Sequence, residues 1–213
     1  MTPLVPKPVD PQALERALAA ARAELAQPSP SRSWQRLWGM SFAVCAGLGV
    51  AIAAAGWGLK LFPATNWERH GLAFGALVLC QGACLWSAFT PQRTRWRWAG
   101  PGMALVGLAA MLWAHAAVPD SAQEVGWHCT ATHLLVDAVP LALALAILRG
   151  FAPSAGRAAL AGLGMGATGA MMGEIVCGQG LAHTLVFHGA AWLALAIAAA
   201  AARPWIRTRS YAP

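Results

Sequence analysis

Residues 131–148 read ATHLLVDAVPLALALAIL, a run of 18 residues that contains one formally charged side chain, Asp137. Crossing the hydrocarbon core of a bilayer, about 30 Å thick, takes about 20 mostly apolar residues in a helix. The run also lacks the alternation of apolar and polar residues that is typical of a strand in a membrane β-barrel. It therefore predicts a membrane-spanning helix.

Five further runs of the same kind flank this one, and together they decide the fold class. Of the whole chain, 58% is apolar and 11% is charged, whereas a soluble domain carries about 25% charged residues. These values exclude a soluble globular domain and a disordered chain. We predict an all-α, polytopic membrane protein with six transmembrane helices, at residues 37–59, 72–89, 101–118, 131–148, 158–177 and 181–202.

The basic residues predict the orientation of these helices. Thirteen of the 15 lysines and arginines fall in the N-terminal segment, the second and fourth loops and the C-terminal tail, and the other two are Lys60 and Arg69. Cytoplasmic loops carry the excess of Lys and Arg. We therefore expect both termini to be cytoplasmic, in a bacterial inner membrane. Topology then accounts for the net charge of +7 without direct contact to nucleic acid.

The chain divides into a cytoplasmic segment (1–36), a transmembrane domain (37–202) and a cytoplasmic tail (203–213). Asp10 followed by Pro11 is typical of a helix start, and the stretch 28–31, Pro-Ser-Pro-Ser, predicts a stiff tether to the membrane. One face of the short amphipathic helix between them carries Leu14, Leu18, Ala21 and Leu25. Such a helix lies on the inner leaflet or in solvent, or binds a partner through its leucine edge.

The reactive residues gather on the opposite, outer side. All six histidines map to the outer half of the predicted topology. In the fourth predicted helix, Cys129, His133 and Asp137 are spaced four apart, which places them on one face. Glu174 and Cys177 stand at the outer end of the fifth. Because these two helices are antiparallel neighbours, we expect Cys129 and Cys177 to lie at the same height.

The two outer cysteines leave three interpretations open: a disulfide, a redox-active or metal-responsive thiol pair, or unpaired structural cysteines. Nearby His and carboxylate groups allow a transient heavy-metal or zinc-like ion, and we expect no resident cofactor. An ionisable residue inside a span costs about 2.5 to 3.5 kcal/mol, and His133 is the nearest candidate partner of Asp137. The candidate sensor residues are Cys129, Cys177, His133, Glu174, His188 and Asp137, with Cys129 and Cys177 as metal ligands.

A series of motifs runs through about residues 125–200: Cys129, Pro140, the Arg149-Gly150-x-x-Pro153 loop, Ala161-Gly162, Cys177 and the Phe187-His188 pair. In this order the motifs resemble those of the NrsF-like family of six-helix inner-membrane anti-sigma factors. The resemblance implies a non-enzymatic regulator that holds an extracytoplasmic-function sigma factor inactive at the membrane. It also implies that Cys129 and Cys177 sense stress, including heavy metals, from outside.

Two other classes stay open as alternatives. A membrane thiol-disulfide oxidoreductase needs an attacking thiol activated by nearby positive charge, and the outer loops place no Lys or Arg near Cys129 or Cys177. A small transporter needs polar groups that reach the bilayer midplane from both sides, whereas the ionisable residues of this chain stop in the outer half. Both observations favour the regulator.

Overall fold

A computed structural model describes residues 10–26, 31–60, 67–90, 98–119, 126–151 and 154–206. This part of the chain forms helices and no strand, which confirms the all-α prediction. We number seven helices: α1 (Pro11–Ala26), α2 (Ser31–Gly58), α3 (Trp67–Phe89), α4 (Ala99–His115), α5 (Gly126–Leu148), α6 (Ala155–Val176) and α7 (Leu181–Trp205).

Five helices are long and apolar enough to cross a membrane: α2 from Trp34 onward, α3, α5, α6 and α7. They confirm a multi-pass membrane protein by length and composition. The third predicted span, 101–118, corresponds to α4, which has 17 residues and ends at His115. The sixth span and the cytoplasmic location of the termini stay predictions.

The described part of α1 belongs to a compact unit of its own, residues 1–34, separate from residues 35–213. The carboxylate of Asp10 accepts a hydrogen bond from the Gln12 N–H at 3.0 Å, as expected at a helix start. Leu14 and Leu18 are exposed. The backbone of Ala21 and Leu25 is helical, but their side chains lie outside the described residues, as do residues 27–30. Ser31, which we expected in the tether, is the first residue of α2.

Helix α6 is the central helix of the unit formed by residues 35–213, and 16 of its 22 residues are buried. Its glycines permit close approach of its neighbours. A Cβ atom on Gly162 would lie 2.7 Å from the Ala196 Cα of α7, and one on Gly169 would lie 2.3 Å from the His133 ring of α5. Gly162 and Gly169 thus lie at the contacts of α6 with α7 and α5, where small residues allow helices to pack closely.

Helix α2 contacts the other helices mainly through large side chains. Trp38 donates its indole N–H to the carbonyl of Gly82 at 3.0 Å, and the sulfur atoms of Cys45 and Met165 are 3.3 Å apart. Most of the remaining apolar surface of α2 is exposed. We infer that this surface faces lipid, since lipid tails are as apolar as the side chains.

Two buried arginines donate hydrogen bonds to backbone carbonyls of neighbouring helices, at the end of the bundle where α5 ends and α6 begins. Arg203, in the last turn of α7, donates to the carbonyls of Leu148 at 3.2 Å and Phe151 at 3.1 Å. Arg157, in the first turn of α6, donates to the carbonyl of Thr90 at 2.6 Å. These hydrogen bonds connect α7 to the end of α5, and α6 to the end of α3.

Helix α7 is not regular throughout. A short α-helical start, Leu181–His183, leads into a π-helical segment, Thr184–Gly189, before the regular helix Ala190–Ala202. The Thr130 hydroxyl of α5 donates to the carbonyl of Phe187 at 3.0 Å. Segments of this kind occur often at functional sites, and this one contains His188.

Candidate functional site

Four metal-ligating side chains meet at the end of the bundle opposite the buried arginines. They are Cys129 of α5, Cys177 directly after α6, and His183 and His188 of α7, and we call them the thiol cluster. One ligand atom from each residue lies within 4.8 Å of every other. A cavity of about 270 Å³ borders all four residues. The structure thus brings together Cys129, Cys177 and His188 from the sequence-predicted site, and adds His183.

Local backbone geometry explains how these residues converge. Cys129 lies in the first turn of α5, inside the helix and not just before it as the predicted span had it. Cys177 has extended backbone angles and donates its N–H to the Gly173 carbonyl at 2.9 Å. Gly173 lets the imidazole of His188 approach, because a Cβ there would lie 2.7 Å from His188 Nδ1.

The π-helical segment brings the two histidines of α7 to the same side. His183 and His188 are five residues apart, a spacing that diverges on a regular α-helix of 3.6 residues per turn. The i→i+5 hydrogen bonding of a π-helix stacks residues five apart. The two rings accordingly lie 5.7 Å apart, centroid to centroid.

The thiol cluster is made of free thiols and buried imidazoles. All five cysteines of the chain are free, Cys177 is buried and Cys129 is half-buried. Burial raises the pKa of the Cys177 thiol to about 11, and the neighbouring Cys129 adds to the effect. Both ring nitrogens of His188 lack a hydrogen-bond partner among the described residues. The donor set, two sulfurs and two imidazoles, is the one that zinc binds in tetrahedral sites.

His133 and Asp137 lie next to this cluster and are bound to α6. The His133 Nε2–H donates to the carbonyl of Gly166 at 2.9 Å and lies 3.1 Å from an Asp137 carboxylate oxygen. The other oxygen of Asp137 accepts from the Gly169 N–H at 3.0 Å. The His133 ring lies 6.1 Å from that of His188. His133 therefore lies behind the cluster and connects α5 to α6. Its Nε2 atom is already occupied by the contacts with Gly166 and Asp137.

Glu174 lies in a different group, which we call the buried triad: His70 of α3, His115 of α4 and Glu174 of α6. One Glu174 oxygen lies 2.8 Å from His70 Nδ1, and the other lies 3.3 Å from His115 Nε2. All three side chains are at most 2% exposed. Sequence analysis placed His70 and His115 on the outer side but gave them no role, because their approach to Glu174 depends on how α3 and α4 pack on α6.

The fold and the site define a multi-pass helical membrane protein with thiol and imidazole ligands gathered at one end of its helices. No family model and no solved structure matches the chain. The chain is 36% identical over 204 residues to the carotenogenesis protein CarR of Myxococcus xanthus, covering 96% of this chain and 92% of that protein. It belongs to the family of CarR.

Proposed function

We propose that this protein is a membrane-bound anti-sigma factor that holds an extracytoplasmic-function sigma factor at the bacterial inner membrane. It releases the sigma factor when the thiol cluster receives an external metal or redox signal. The name of the Myxococcus relative refers to carotenogenesis, so carotenoid genes are the natural targets of the released sigma factor.

One observation carries this proposal, the length of the match to a carotenogenesis protein. At most nine residues of the 213 lie outside the matched 204. Most of the N-terminal segment that precedes the first span is therefore included. Since lipid-facing helices diverge easily while keeping their hydropathy, similarity that extends into a polar segment supports a binding role for that segment.

The partner surface we propose is the leucine edge of α1. Leu14 and Leu18 are 52% and 46% exposed, and they lie one turn apart on the same face. Leu25 continues this spacing in the sequence. An amphipathic helix of this kind binds by placing its apolar face in a hydrophobic groove, and the positive-inside rule puts it in the cytoplasm.

The sensor we propose is the thiol cluster, because its four donors come from three elements. Cys129 is on α5, Cys177 follows α6 and the two histidines are on α7. A bound soft-metal ion, or a disulfide between the two thiols, would draw the ends of these elements together. Metal binding requires thiolates and therefore releases protons.

The same helices connect the thiol cluster to the opposite end of the bundle. Arg203 at the far end of α7 binds the carbonyls of Leu148 and Phe151 at the far end of α5. A change in the α5–α7 relationship at the thiol cluster therefore acts on these hydrogen bonds. The signal shifts the two states only by its differential affinity for them.

The environment of Cys177 favours a sensor over a thiol-disulfide oxidoreductase. An attacking thiol needs a lowered pKa, because the thiolate is the nucleophile. Burial raises the pKa of Cys177 to about 11. A thiol in this state is a weak nucleophile at neutral pH, which disfavours turnover of substrate disulfides, and a metal ion binds it by replacing its proton.

The partner role is tested with the full-length tagged protein, purified from its own membranes with its retained proteins identified by mass spectrometry. We expect an extracytoplasmic-function sigma factor. The Leu14→Asp, Leu18→Asp double variant should lose it. The matched control is the double variant Ala19→Asp, Ala23→Asp. It adds the same charges at the same spacing, but on a helix face roughly a third to half of a turn around the axis from the leucine edge. Absence of a sigma factor, or equal loss in both variants, contradicts the proposal.

The sensor role is tested with a reporter gene driven by the retained sigma factor. In the wild type, external Zn²⁺, Cd²⁺ or a thiol oxidant should raise expression, and Cys129→Ser or Cys177→Ser should abolish the response to that signal. Cys45→Ser serves as the control, because that thiol contacts Met165 away from the cluster. An unchanged response in both cluster variants refutes the sensor but leaves the sigma-factor assignment standing.

A further inference from the structure

We propose that the buried triad, His70, His115 and Glu174, is a second divalent-metal site, of the zinc class, that requires no cysteine. The site is separate from the thiol cluster. It draws its ligands from α3, α4 and α6, whereas the cluster draws on α5, α7 and the segment after α6. Its existence does not depend on the anti-sigma role.

The orientation of His115 is the first argument. Its Nδ1 lies 2.6 Å from the carbonyl oxygen of Gln179. A carbonyl only accepts, so Nδ1 carries the proton. Metal-binding histidines almost always donate one ring N–H to a carbonyl or carboxylate in this way, which leaves the other nitrogen as the ligand. In His115 the other nitrogen, Nε2, is the one that faces Glu174.

The second argument is the electrostatics between His115 and Glu174. In the neutral imidazole, Nε2 is then an acceptor, and it lies 3.3 Å from a Glu174 oxygen that is also an acceptor. That oxygen has no hydrogen-bond donor among the described residues. Two lone pairs facing each other in a buried site require a cation between or beside them. A metal ion meets this requirement, and so does a second proton on His115.

The third argument is the spare ligand capacity and access of the site. The Nε2 atom of His70 is buried without a hydrogen-bond partner among the described residues, while its Nδ1 lies 2.8 Å from the other Glu174 oxygen. One ligand atom from each residue lies within 4.8 Å of the other two. Two histidines and one glutamate are an established zinc ligand set. A cavity of about 200 Å³ borders His70 and Glu174 and supplies an approach for the ion.

A metal ion in the triad would fasten α3 and α4 to α6. Glu174 lies three residues before Cys177, and the Gln179 carbonyl that orients His115 lies two residues after it. The short segment that follows α6 is therefore bordered by the triad on one side and by the thiol cluster on the other.

The test uses the full-length protein in detergent with the thiol cluster disabled by Cys129→Ser, Cys177→Ser and His188→Gln. After chelator treatment and dialysis against Zn²⁺, we expect one zinc per chain. With Co²⁺ we expect the visible bands of low-coordinate nitrogen and oxygen ligation, without the sulfur-to-cobalt charge-transfer band.

Adding Glu174→Gln, His70→Gln or His115→Gln should weaken Zn²⁺ binding by more than about 100-fold, beyond the 10–100-fold typical of losing a group behind the ligands. His128→Gln, at an exposed histidine of α5, should change nothing.

Several outcomes overturn the proposal. Absence of bound zinc in the disabled background shows that the triad holds a proton instead of a metal. Equal zinc binding in the triad variants and in His128→Gln places the metal elsewhere. If none of the triad variants folds, X-ray absorption on the disabled background decides: a zinc shell with two imidazoles supports the site, and fewer than two overturns it.

Discussion

His133 and Asp137 lie one turn apart on α5, and their side chains meet inside the protein with 3.1 Å between Nε2 and Oδ2. Both are fully buried. The histidine donates to the carbonyl of Gly166 and the carboxylate accepts from the N–H of Gly169, both on α6. This polar contact fixes the register of α5 against α6, directly behind the thiol cluster.

Asp137→Asn should destabilise this contact. The asparagine oxygen can still accept from Gly169, but its amide N–H₂ then faces the His133 N–H, and two donors are opposed. Leaving a buried polar group unsatisfied costs about 1–3 kcal/mol. We expect a loss of that size in the free energy of unfolding, measured by denaturant titration of the full chain in detergent.

Thr132→Ala is the control for this variant, because Thr132 is exposed on the same helix and its hydroxyl donates only to the His128 carbonyl one turn back. Its unfolding free energy should change by no more than about 0.5 kcal/mol. Equal midpoints for Asp137→Asn and the wild type would show that the contact contributes little to stability.

Gly169→Ala tests the close approach of α5 and α6. The added Cβ would lie 2.3 Å from a His133 ring carbon and 2.5 Å from an Asp137 oxygen. Overpacking of this kind costs about 1–3 kcal/mol, so the melting temperature in detergent should fall.

Gly75→Ala on α3 is the matched substitution, since nothing lies within 4 Å of the Cβ that it adds. Replacing an uncrowded helical glycine by alanine stabilises by roughly 0.5–1 kcal/mol. A Gly169→Ala protein as stable as Gly75→Ala would mean that the two helices separate without cost.

The sequence predicted the helices of this region better than the side-chain contacts between them. The four-residue spacing of His133 and Asp137 suffices to pair them, because residues one turn apart share a helix face whatever the helix packs against. Hydropathy likewise predicted five of the spans. It placed the start of α5 five residues late, at 131 instead of Gly126, because the first turn of that helix contains polar residues.

The sequence could not predict that Glu174 lies in the buried triad or that His183 lies in the thiol cluster, and the reasons are physical. Glu174 and Cys177 are close in sequence, but α6 ends between them, and the carboxylate faces α3 and α4 while the thiol faces α5 and α7. His183 joins His188 only because the π-helical segment changes the period of α7. Neither the packing of α3 and α4 nor a local change of helical period has a signature in the pattern of residues.

The alkylation of Cys177 should depend on pH in a way that reports its burial. Its pKa of about 11 lies above the value of about 8.5 for a free cysteine, so the folded protein binds this proton more tightly than the unfolded chain does. The group therefore leaves stability unaffected below about pH 8.5 and lowers it as the pH rises toward 11. Peptide mass spectrometry after iodoacetamide pulses should show modification of Cys177 rising up to about pH 11.

Unfolding in denaturant is the control for this experiment, because the same peptide should then react with a midpoint near the free value. Half-maximal modification of the native protein below pH 8 would contradict a protonated, buried thiol. It would also reopen the oxidoreductase as an alternative.

Arg203→Ala should loosen the end of the bundle opposite the thiol cluster. The variant loses the hydrogen bonds that Arg203 donates to Leu148 and Phe151, and hydrogen bonds from charged groups contribute about 1.5–3 kcal/mol each. We expect faster amide hydrogen exchange at residues 146–151 and a lower melting temperature. Leu143→Ala, at an exposed position of α5, should change the free energy of unfolding by no more than about 0.5 kcal/mol.

Chemical labelling in intact cells tests the predicted orientation of the chain in the membrane. Cys129 is the one cysteine that is not buried, and the positive-inside rule predicts that it lies outside the cytoplasmic membrane. A membrane-impermeant maleimide should therefore label Cys129 in intact cells, and Cys129→Ser should remove the signal. Ala23→Cys on α1, in a Cys129→Ser background, should be labelled only after the inner membrane is permeabilised. If Ala23→Cys reacts first and Cys129 needs permeabilisation, the arginine-rich end faces outward, and a cytoplasmic sigma factor has no access to α1.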